Sequence, residues 1–375
     1  MDNKEYWDNG NHLWVTSKDM KCSHITNSLM KITDKALETM TIYEKGTLLV
    51  VIRSGILRHT LPLSILEKPA TVNQDLKTIS PYIQELSEYL YAVIKANEHF
   101  ILKEYHKDGT TVDSIDFDKF RCLSIPLAPI AEQKRLIVET KRWFALIDQI
   151  EQGKSDLQIT IKQTKSKILD LAIHGKLVPQ DPKDEPAIEL LKRINPDFTP
   201  CDNGHSEKLP QGWAYCKLSN VLRITMGQSP KGDSLSNKRG IEFHQGKICF
   251  SDKFLLKSKI FTDEPIKIAE SNSILLCIRA PVGVVNITKR QICIGRGLCA
   301  LNPFDGNTDF YFYLLQTLQD SFENQSTGTT FKAISGEIIK NEKIALPPLS
   351  EQQRIVQKIE ELFSALDNIQ NALEV

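Results

Sequence analysis

The chain has 375 residues, and its 47 Lys and Arg balance its 47 Asp and Glu, so the formal net charge is zero. Hydrophobic residues make up 41% and charged residues 25%, which is typical of a globular protein and excludes a largely disordered chain. The apolar runs are short and the first residues are polar, so neither a membrane-spanning helix nor a signal peptide is expected. The eight cysteines lack Cys-x-x-Cys spacing, which argues against a zinc site or a disulfide framework and favours a reduced, cytoplasmic location.

Positive charge is concentrated in the second half of the chain. Residues 217–296 hold 14 basic residues against 6 acidic ones. A local excess of positive charge in a neutral chain points to a polyanion such as nucleic acid, although a solvated surface is the simpler alternative.

Short β-rich runs alternate with helical stretches, which predicts mixed α/β domains. The runs predicted as strands are 47–53, 274–279 and 282–287, and the stretches predicted as helices are 81–96 and 310–324.

The strongest pattern is an internal repeat. Three ordered matches define it: residues 125–135 (IPLAPIAEQKR) with 344–354 (IALPPLSEQQR) and Gly109-Thr110-Thr111 with Gly328-Thr329-Thr330, both at an offset of 219, and residues 49–53 with 275–279 at an offset of 226. A period this long indicates duplicated domains, since solenoid repeats run to about 20–50 residues.

Each proline-rich block predicts the start of a long helix. After the second block, apolar residues from Ile355 to Leu373 step by four and three residues, which is a heptad seam. The first helix, predicted over 132–172, carries the same register from Trp143 to Leu171 and would be about 60 Å long at 1.5 Å per residue. We expect the two helices to pack on each other or on copies from a second chain. Burial against two separate cores is the alternative.

The first helix is expected to end at Gly175, because glycine is the usual residue after a helix C-terminus. A proline-punctuated linker follows over 176–186, then a short helix over 187–194 and a turn-rich connection over 195–212.

With its internal repeat, its long helices and its linker, the chain resembles the specificity (S) subunit of Type I restriction-modification enzymes. The motifs that carry the resemblance are the two Glu-Gln-x-Arg blocks, residues 175–182 with 184–187, Leu209-Pro210 with Trp213, and residues 227–230, 278–283 and 328–330. The resemblance implies two similar mixed α/β target-recognition domains, separated by long helices that form an antiparallel coiled coil. Each domain would read one half of a bipartite DNA site, while the helices set the spacing and dock the modification subunits.

On this interpretation the chain has five parts, of which the first domain is incomplete at its amino end and the second helix is short. They are residues 1–129, the first target-recognition domain; 130–175, the first long helix; 176–207, a linker; 208–346, the second target-recognition domain; and 347–375, the second long helix. The first domain is called incomplete because it lacks a counterpart of residues 209–230. A truncated product, a silent or partial specificity protein from a rearranged locus, and a chain completed by a second polypeptide all stay open.

A protein that reads duplex DNA needs Lys or Arg for the phosphates and a few side chains for base edges. The candidate contacts in the first domain are Lys18, Lys21, His24, Arg58, His59, His106 and Lys107. Those in the second domain are Ser229, Lys231, Lys238, Arg239, Lys253, Lys257, Lys259, Arg290, Arg296, Thr329 and Thr330. Each could equally be a solvated surface residue, and Arg53 and Arg279 could instead pair with carboxylates.

No catalytic constellation is expected in this chain. Residues 227–234 have P-loop-like glycine spacing, but Asp233 stands where the phosphate-binding lysine is required. Residues 301–304 lack the second proline of the Asn-Pro-Pro-aromatic tetrapeptide of adenine methyltransferases, and the histidines show no metal-ligand spacing. The resemblance implies that S-adenosylmethionine, ATP and Mg²⁺ act in modification (methyltransferase) and restriction (endonuclease) subunits. A standalone DNA-modifying enzyme is the alternative.

Overall fold

The computed structural model describes residues 4–109, 112–200, 209–328 and 332–373. The chain divides into two compact units, unit 1 (residues 1–151) and unit 2 (residues 152–375). Among the described residues, no helix combines the length and the apolar character that crossing a bilayer would require.

Unit 1 is a mixed α/β fold, and its described residues contain nine short strands. The strands are His12–Val15 (β1), His24–Ile25 (β2), Met30–Ile32 (β3), Leu48–Val51 (β4), Leu63–Leu66 (β5), Ala70–Val72 (β6), Leu76–Ile79 (β7), His106–Lys107 (β8) and Ser114–Ile115 (β9). The helices are Asp34–Leu37 (α1), Ser87–Ala96 (α2), Glu98–Glu104 (α3), Phe117–Arg121 (α4) and the start of Ile130–Ile173 (α5). The strands form sheets in the orders β3-β1-β6, β2-β5-β4-β7 and β8-β9.

Strand β4 lies between two of the apolar cores of unit 1. Its four residues are all fully buried, as a continuous apolar run predicts for a strand covered on both faces. Leu48 and Val50 pack with residues of α2, α3 and α4. Because successive side chains of a strand point to opposite faces, Leu49 and Val51 pack in the other core, which includes residues of β1.

Unit 2 contains the rest of α5 and a larger set of strands. The strands are Ala214–Lys217 (β10), Leu222–Met226 (β11), Leu235–Ser236 (β12), Ile241–His244 (β13), Phe261–Thr262 (β14), Ile268–Ala269 (β15), Ile274–Cys277 (β16), Val285–Ile287 (β17), Ile292–Ile294 (β18), Leu298–Pro303 (β19) and Lys343–Leu346 (β20). The helices are Ala187–Ile194 (α6), Leu218–Val221 (α7), Thr308–Thr317 (α8), Gln319–Asn324 (α9), Gly336–Asn341 (α10) and Leu349–Ala372 (α11). The sheet orders are β10-β20, β11-β19-β16-β17 and β12-β14-β13-β18-β15.

The internal repeat read from the sequence is a repeat of structure. The antiparallel order β5-β4-β7 in unit 1 corresponds to β17-β16-β19 in unit 2. Beyond these strands, Arg53 bridges to Ser114 and Arg279 bridges to Ala333, so the connection that follows each central strand is also the same. Within the described residues β7 pairs with β4 alone, whereas its counterpart β19 also pairs with β11.

Helices α5 and α11 pack antiparallel in unit 2. Lys165 forms an ion pair with Asp367, while Leu169 and Ala172 of α5 lie against Ile355 and Ile359 of α11. The predicted packing of the two helices is therefore confirmed over this stretch. Ile355 and Ile359 are seam positions as predicted, whereas Leu169 and Ala172 lie one position beyond the predicted Ile168 and Leu171. On the earlier part of α5 the same seam is exposed, since Trp143, Ile147 and Ile150 are 62%, 45% and 61% exposed.

Gly175 ends α5 with a left-handed cap, as expected. Its φ is +62°, the Lys176 N–H donates to the Leu171 carbonyl at 2.8 Å, and the Gly175 N–H donates to Ala172 at 3.2 Å. These two bonds form a Schellman motif. An added Cβ would lie 2.5 Å from Cγ of Pro210, so the loop that opens β10 also packs against this glycine.

We predict that Gly175→Ala lowers the free energy of unfolding by about 1–2 kcal/mol, because alanine would adopt a strained φ and collide with Pro210. Urea unfolding followed by far-ultraviolet circular dichroism measures the change. Gly153→Ala is the matched control: it lies within α5, an added Cβ there meets no atom within 4 Å, and it should stabilise by about 0.5–1 kcal/mol. Equal effects of the two substitutions would contradict the prediction.

Candidate nucleic-acid interface

One end of the five-stranded sheet in unit 2 collects exposed cations. The carboxyl ends of β13 and β18 lie beside the amino ends of β14 and β15, because β13 is parallel to β18 while β14 and β15 run antiparallel to them. The exposed basic residues that flank these strands at this end define the basic edge: Lys247, Lys257, Lys259, Lys267 and Arg296. The carboxylates of Asp263, Glu264 and Glu270 follow β14 and β15 at the opposite end. At that same end Lys238 and Arg239 precede β13, and Lys289 and Arg290 precede β18, so it carries charges of both signs. The basic edge, with five exposed cations, is the end suited to a polyanion.

The sequence predicted three residues of the basic edge and missed two. Lys257, Lys259 and Arg296 were candidates, whereas Lys247 and Lys267 become neighbours of these residues only through the strand order. The signal that could have found them is the local charge excess over 217–296, which includes both.

A small pocket adjoins the basic edge. It has a volume of about 190 Å³ and is lined by the cationic side chains of Lys247 and Arg279 and by Gly246 and Gly297. Neither Arg279 nor its counterpart Arg53 forms an ion pair with any described carboxylate, so the alternative of a structural pair is not seen.

The Gly-Gln-Ser-Pro motif lies against the same end of the sheet. The Gln228 N–H donates to the Ile294 carbonyl at 3.0 Å, and the Ser229 hydroxyl accepts a hydrogen bond from the Arg296 N–H at 3.2 Å. Glycine is required at 227 because a Cβ would lie 2.2 Å from the Gly295 carbonyl oxygen. Ser229 therefore lies beside Arg296, and Lys231 follows it as an exposed residue.

Arg290 holds the loop that carries two of these lysines. Its guanidinium donates to both carboxylate oxygens of Glu242 at 2.5 Å and to the carbonyls of Leu255 and Leu256 at 3.0 and 2.8 Å. The Ser258 N–H donates to the same carboxylate at 2.6 Å. Burial alone would raise the pKa of Glu242, but these hydrogen bonds outweigh it and lower the pKa to about 2. Arg290 was predicted to contact DNA, and that prediction stands; the contacts that the structure shows for it are all within unit 2.

Lys253 is also engaged within unit 2. Its ammonium group lies 2.9 Å from Asp309 of α8 and 2.6 Å from Glu360 of α11, and 5.4 Å from the centre of the Tyr313 ring. These contacts join a loop to two helices. The remaining candidates of this unit, Lys238 and Arg239, are exposed in a turn organised by the Ser236 hydroxyl.

In unit 1 the strongest charged cluster surrounds Asp113, which is 1% exposed. Arg58 Nε donates to its carboxylate at 2.5 Å, and Nε2 of His106 lies 3.6 Å away. The hydrogen bond from Arg58 holds the pKa of Asp113 below its usual value. Two of the predicted DNA contacts are thus brought together, around a buried carboxylate.

The other candidates of unit 1 fall into two groups, one bound to carboxylates and one exposed. His24 is bound to Glu88 at 2.9 Å, and Lys107 to Asp116 at 2.8 Å. Lys18, Lys21 and His59 are exposed, and their side chains form no ion pair in the part of the chain that the structure describes. Thr329 and Thr330, like Thr110 and Thr111, lie outside the described residues. Free positive charge is therefore concentrated in unit 2.

A family model described as Type I restriction modification DNA specificity domain matches residues 1–158 and 210–375. The chain is 28% identical over 300 residues to the putative type I restriction enzyme MjaX specificity subunit of Methanocaldococcus jannaschii, covering 78% of this chain and 65% of that protein. It is 32% identical over 151 residues to the type I restriction enzyme EcoR124I/EcoR124II specificity subunit of Escherichia coli, covering 40% and 37%. The chain thus spans less than two thirds of the length of these relatives.

Solved structures share the fold. The HsdS subunit of Thermoanaerobacter tengcongensis superposes with a TM-score of 0.62 at 21% identity, covering 96% of this chain and 85% of that one. A structure described as the basis of complex assembly and conformational transition of the type I R-M system has a TM-score of 0.67 at 22% identity, covering 97% and 86%. Since the family model matches most of both units and both long helices, the chain belongs to the Type I restriction modification DNA specificity domain family.

Proposed function

We propose that this protein is the DNA sequence-recognition subunit of a Type I restriction-modification complex, in which each unit reads one half of a bipartite site. The observation that carries the proposal is the basic edge, five exposed cations at one end of a five-stranded sheet. Such an edge can bind the phosphate backbone, and neighbouring loops can then reach base edges. The structural repeat supplies a second unit of the same kind for the second half-site.

The long helices would set the distance between the half-sites. Helix α5 has 44 residues, which corresponds to about 65 Å at 1.5 Å per residue. The groove of DNA repeats every 34–36 Å or so, and a stiff helix of this length can relate positions on successive turns. Each residue added to or removed from the helix would change that distance by a fixed step.

Catalysis would belong to partner subunits. We propose that modification subunits dock on the α5–α11 pair and transfer methyl groups from S-adenosylmethionine. Restriction subunits would use ATP and Mg²⁺ for cleavage. The family of the chain and its likeness to a structure described by complex assembly support this assignment.

Co-expression with the neighbouring modification subunits, followed by mapping of methylated bases in host DNA, tests the proposal. A methylated motif split by a spacer of fixed length is the expected result. A stable complex that methylates no DNA, or one that methylates a continuous motif, would contradict it.

We predict that deleting one heptad of α5, residues 150–156, shortens the spacer by about three base pairs and leaves both half-sites unchanged. The deletion removes about 10 Å of helix, and DNA rises about 3.4 Å per base pair. All seven residues are exposed, and a whole heptad preserves the seam. The same mapping measures the spacer, with Gly153→Ala as the control of unchanged length. A constant spacer would refute the ruler role.

A further inference from the structure

Unit 1 repeats the sheet whose end carries the basic edge in unit 2. In β3-β1-β6, as in β14-β13-β18, the middle strand runs antiparallel to the strand named first and parallel to the strand named last. The carboxyl end of β1 therefore corresponds to the carboxyl end of β13, which Lys247 of the basic edge follows. Lys18 and Lys21 are exposed just after β1. Both units thus present exposed lysines at the same end of the same sheet.

An aliphatic side chain projects into solvent beside these lysines in each unit. Ile248 follows Lys247 and is 96% exposed, and Leu29, which directly precedes β3, is 76% exposed. Because β3 runs antiparallel to β1, its start lies beside the end of β1. Single exposed hydrophobic residues are common on protein surfaces. Two of them at equivalent ends of a repeated sheet, each among exposed cations, indicate a shared use, and we call Ile248 and Leu29 the apolar tips.

Hydrogen bonds hold the loops that carry the apolar tips. In unit 1 the Asp19 carboxylate accepts from the Thr16 N–H at 2.8 Å and from the Leu29 N–H at 2.7 Å, so it joins the loop after β1 to the loop before β3. In unit 2 the Leu256 N–H donates to the Cys249 carbonyl at 2.9 Å, directly after the tip, and joins the loop after β13 to the loop before β14. The two tips are therefore built into ordered loops of the same kind.

A DNA duplex offers one kind of apolar group on the edges of its bases. The major groove presents hydrogen-bond donors and acceptors of every base pair, together with the C5-methyl group of thymine. Lysines that bind the phosphates bring the side chains between them against base edges. Isoleucine and leucine have no side-chain donor or acceptor, so the thymine methyl group is the base-edge group that they bury favourably.

We propose that each apolar tip contacts the C5-methyl group of a thymine, Ile248 in the half-site of unit 2 and Leu29 in the half-site of unit 1. The inference rests on the proposed function and adds the chemical group that each unit selects at one position of its half-site. The lysines attract DNA of any sequence, whereas the apolar tips distinguish base pairs by the presence and place of a methyl group.

Deoxyuridine in place of single thymines tests the proposal, because uracil differs from thymine only in lacking the C5-methyl group. The chain in complex with the modification subunits is titrated with labelled duplexes that carry the mapped site, each with one thymine replaced, and fluorescence anisotropy gives the affinity. One replacement in each half-site should weaken binding about fourfold, which is the effect of burying one methyl group less.

Alanine variants assign each methyl group to its tip. Ile248→Ala should weaken binding to the thymine duplex about three- to tenfold and abolish the effect of the replacement in one half-site only, and Leu29→Ala should do the same for the other half-site. Ile42→Ala is the matched control. Ile42 is exposed next to Tyr43, which bridges to Ala70 at the amino end of β6, and this is the opposite end of the sheet. The control should leave the affinity and both replacement effects unchanged.

The ways in which this experiment can fail differ in meaning. A wild-type complex that binds no duplex would overturn the proposed function itself. Variants at both tips that respond to every deoxyuridine as the wild type does would overturn only this inference, as would half-sites without an A·T pair. Equal weakening of thymine and deoxyuridine duplexes by Ile248→Ala would indicate insertion between base pairs, and loss of the modification subunits from that variant would indicate a protein partner; either result would also overturn the inference.

Discussion

Glu351→Ala is expected to lower the free energy of unfolding of unit 2 by about 2–4 kcal/mol. The Glu351 side chain is fully buried and accepts hydrogen bonds from Trp213 Nε1 at 3.0 Å and from Gln180 Nε2 at 3.1 Å. Alanine would leave the buried Trp213 N–H without an acceptor, which costs about 1–3 kcal/mol, and would open a cavity, while Gln180 keeps its hydrogen bond to the Gly175 carbonyl. Urea unfolding of the full chain, followed by tryptophan fluorescence and circular dichroism, measures the loss.

Two matched variants separate hydrogen bonding from charge and position. Glu351→Gln keeps an acceptor for Trp213 and removes a carboxylate whose pKa is raised by burial, so its effect should stay below about 1 kcal/mol. Glu132→Ala changes the counterpart in unit 1, which is exposed, and should be nearly neutral. Equal destabilisation of all three variants would contradict a stabilising role for the hydrogen bonds that Glu351 accepts.

The contacts of Glu351 explain why the motifs that revealed the family could be found but not interpreted from sequence. In unit 2 the Glu, Gln and Arg of the repeated Glu-Gln-x-Arg block all form structural hydrogen bonds. The Gln352 amide donates to the Pro347 carbonyl at 3.1 Å, and Arg354 binds Asp184 of the linker at 2.5 Å. Gln133 repeats the first of these bonds with Ala128 at 2.6 Å in unit 1. These contacts join residues that are far apart in sequence, so the sequence could show the repeat and could not show its partners.

Helices were predicted well because their signals are local. The heptad spacing, the proline-rich starts and Gly175 placed the first long helix at 132–172, and the structure has Ile130–Ile173. The same spacing could not show which part of the seam would be covered. Leu169 and Ala172 are buried because they lie against residues of α8 and α11, whereas Trp143 and Ile150 are equally apolar and are exposed.

The candidate site was predicted in part, for a similar reason. Charge composition pointed to residues 217–296, which include the basic edge. It could not show that Lys253 and Arg290 have carboxylate partners, because Asp309, Glu360 and Glu242 are distant in sequence from the residues they bind. Nor could it show that Lys247 and Lys267 lie beside Arg296. That neighbourhood arises from the strand order β14-β13-β18-β15, which mixes parallel and antiparallel pairs and has no local signature.

Neutralising the basic edge with Lys247→Gln, Lys257→Gln, Lys259→Gln, Lys267→Gln and Arg296→Gln is expected to weaken DNA binding about 100- to 1,000-fold near physiological salt. Each phosphate contact that is lost should also lower the slope of log affinity against log salt by about 0.9, so the five together should lower it by about 4.5. All five residues are exposed, and the hydrogen bonds of Arg290 and Glu242 that hold the loop are left intact. Fluorescence anisotropy of a duplex carrying the mapped site, over a salt series, gives both quantities.

The matched control removes the same charge elsewhere in unit 2, with glutamine at the exposed lysines of α5, the linker and α6: Lys162, Lys167, Lys176, Lys183 and Lys192. If net charge alone attracted DNA, both variants would lose affinity equally, since long-range attraction depends on total charge. A defined interface predicts instead that the control keeps most of its affinity and salt slope. Loss confined to the basic-edge variant would identify this end of the sheet as the surface that meets the phosphates, and equal loss in both variants would exclude it.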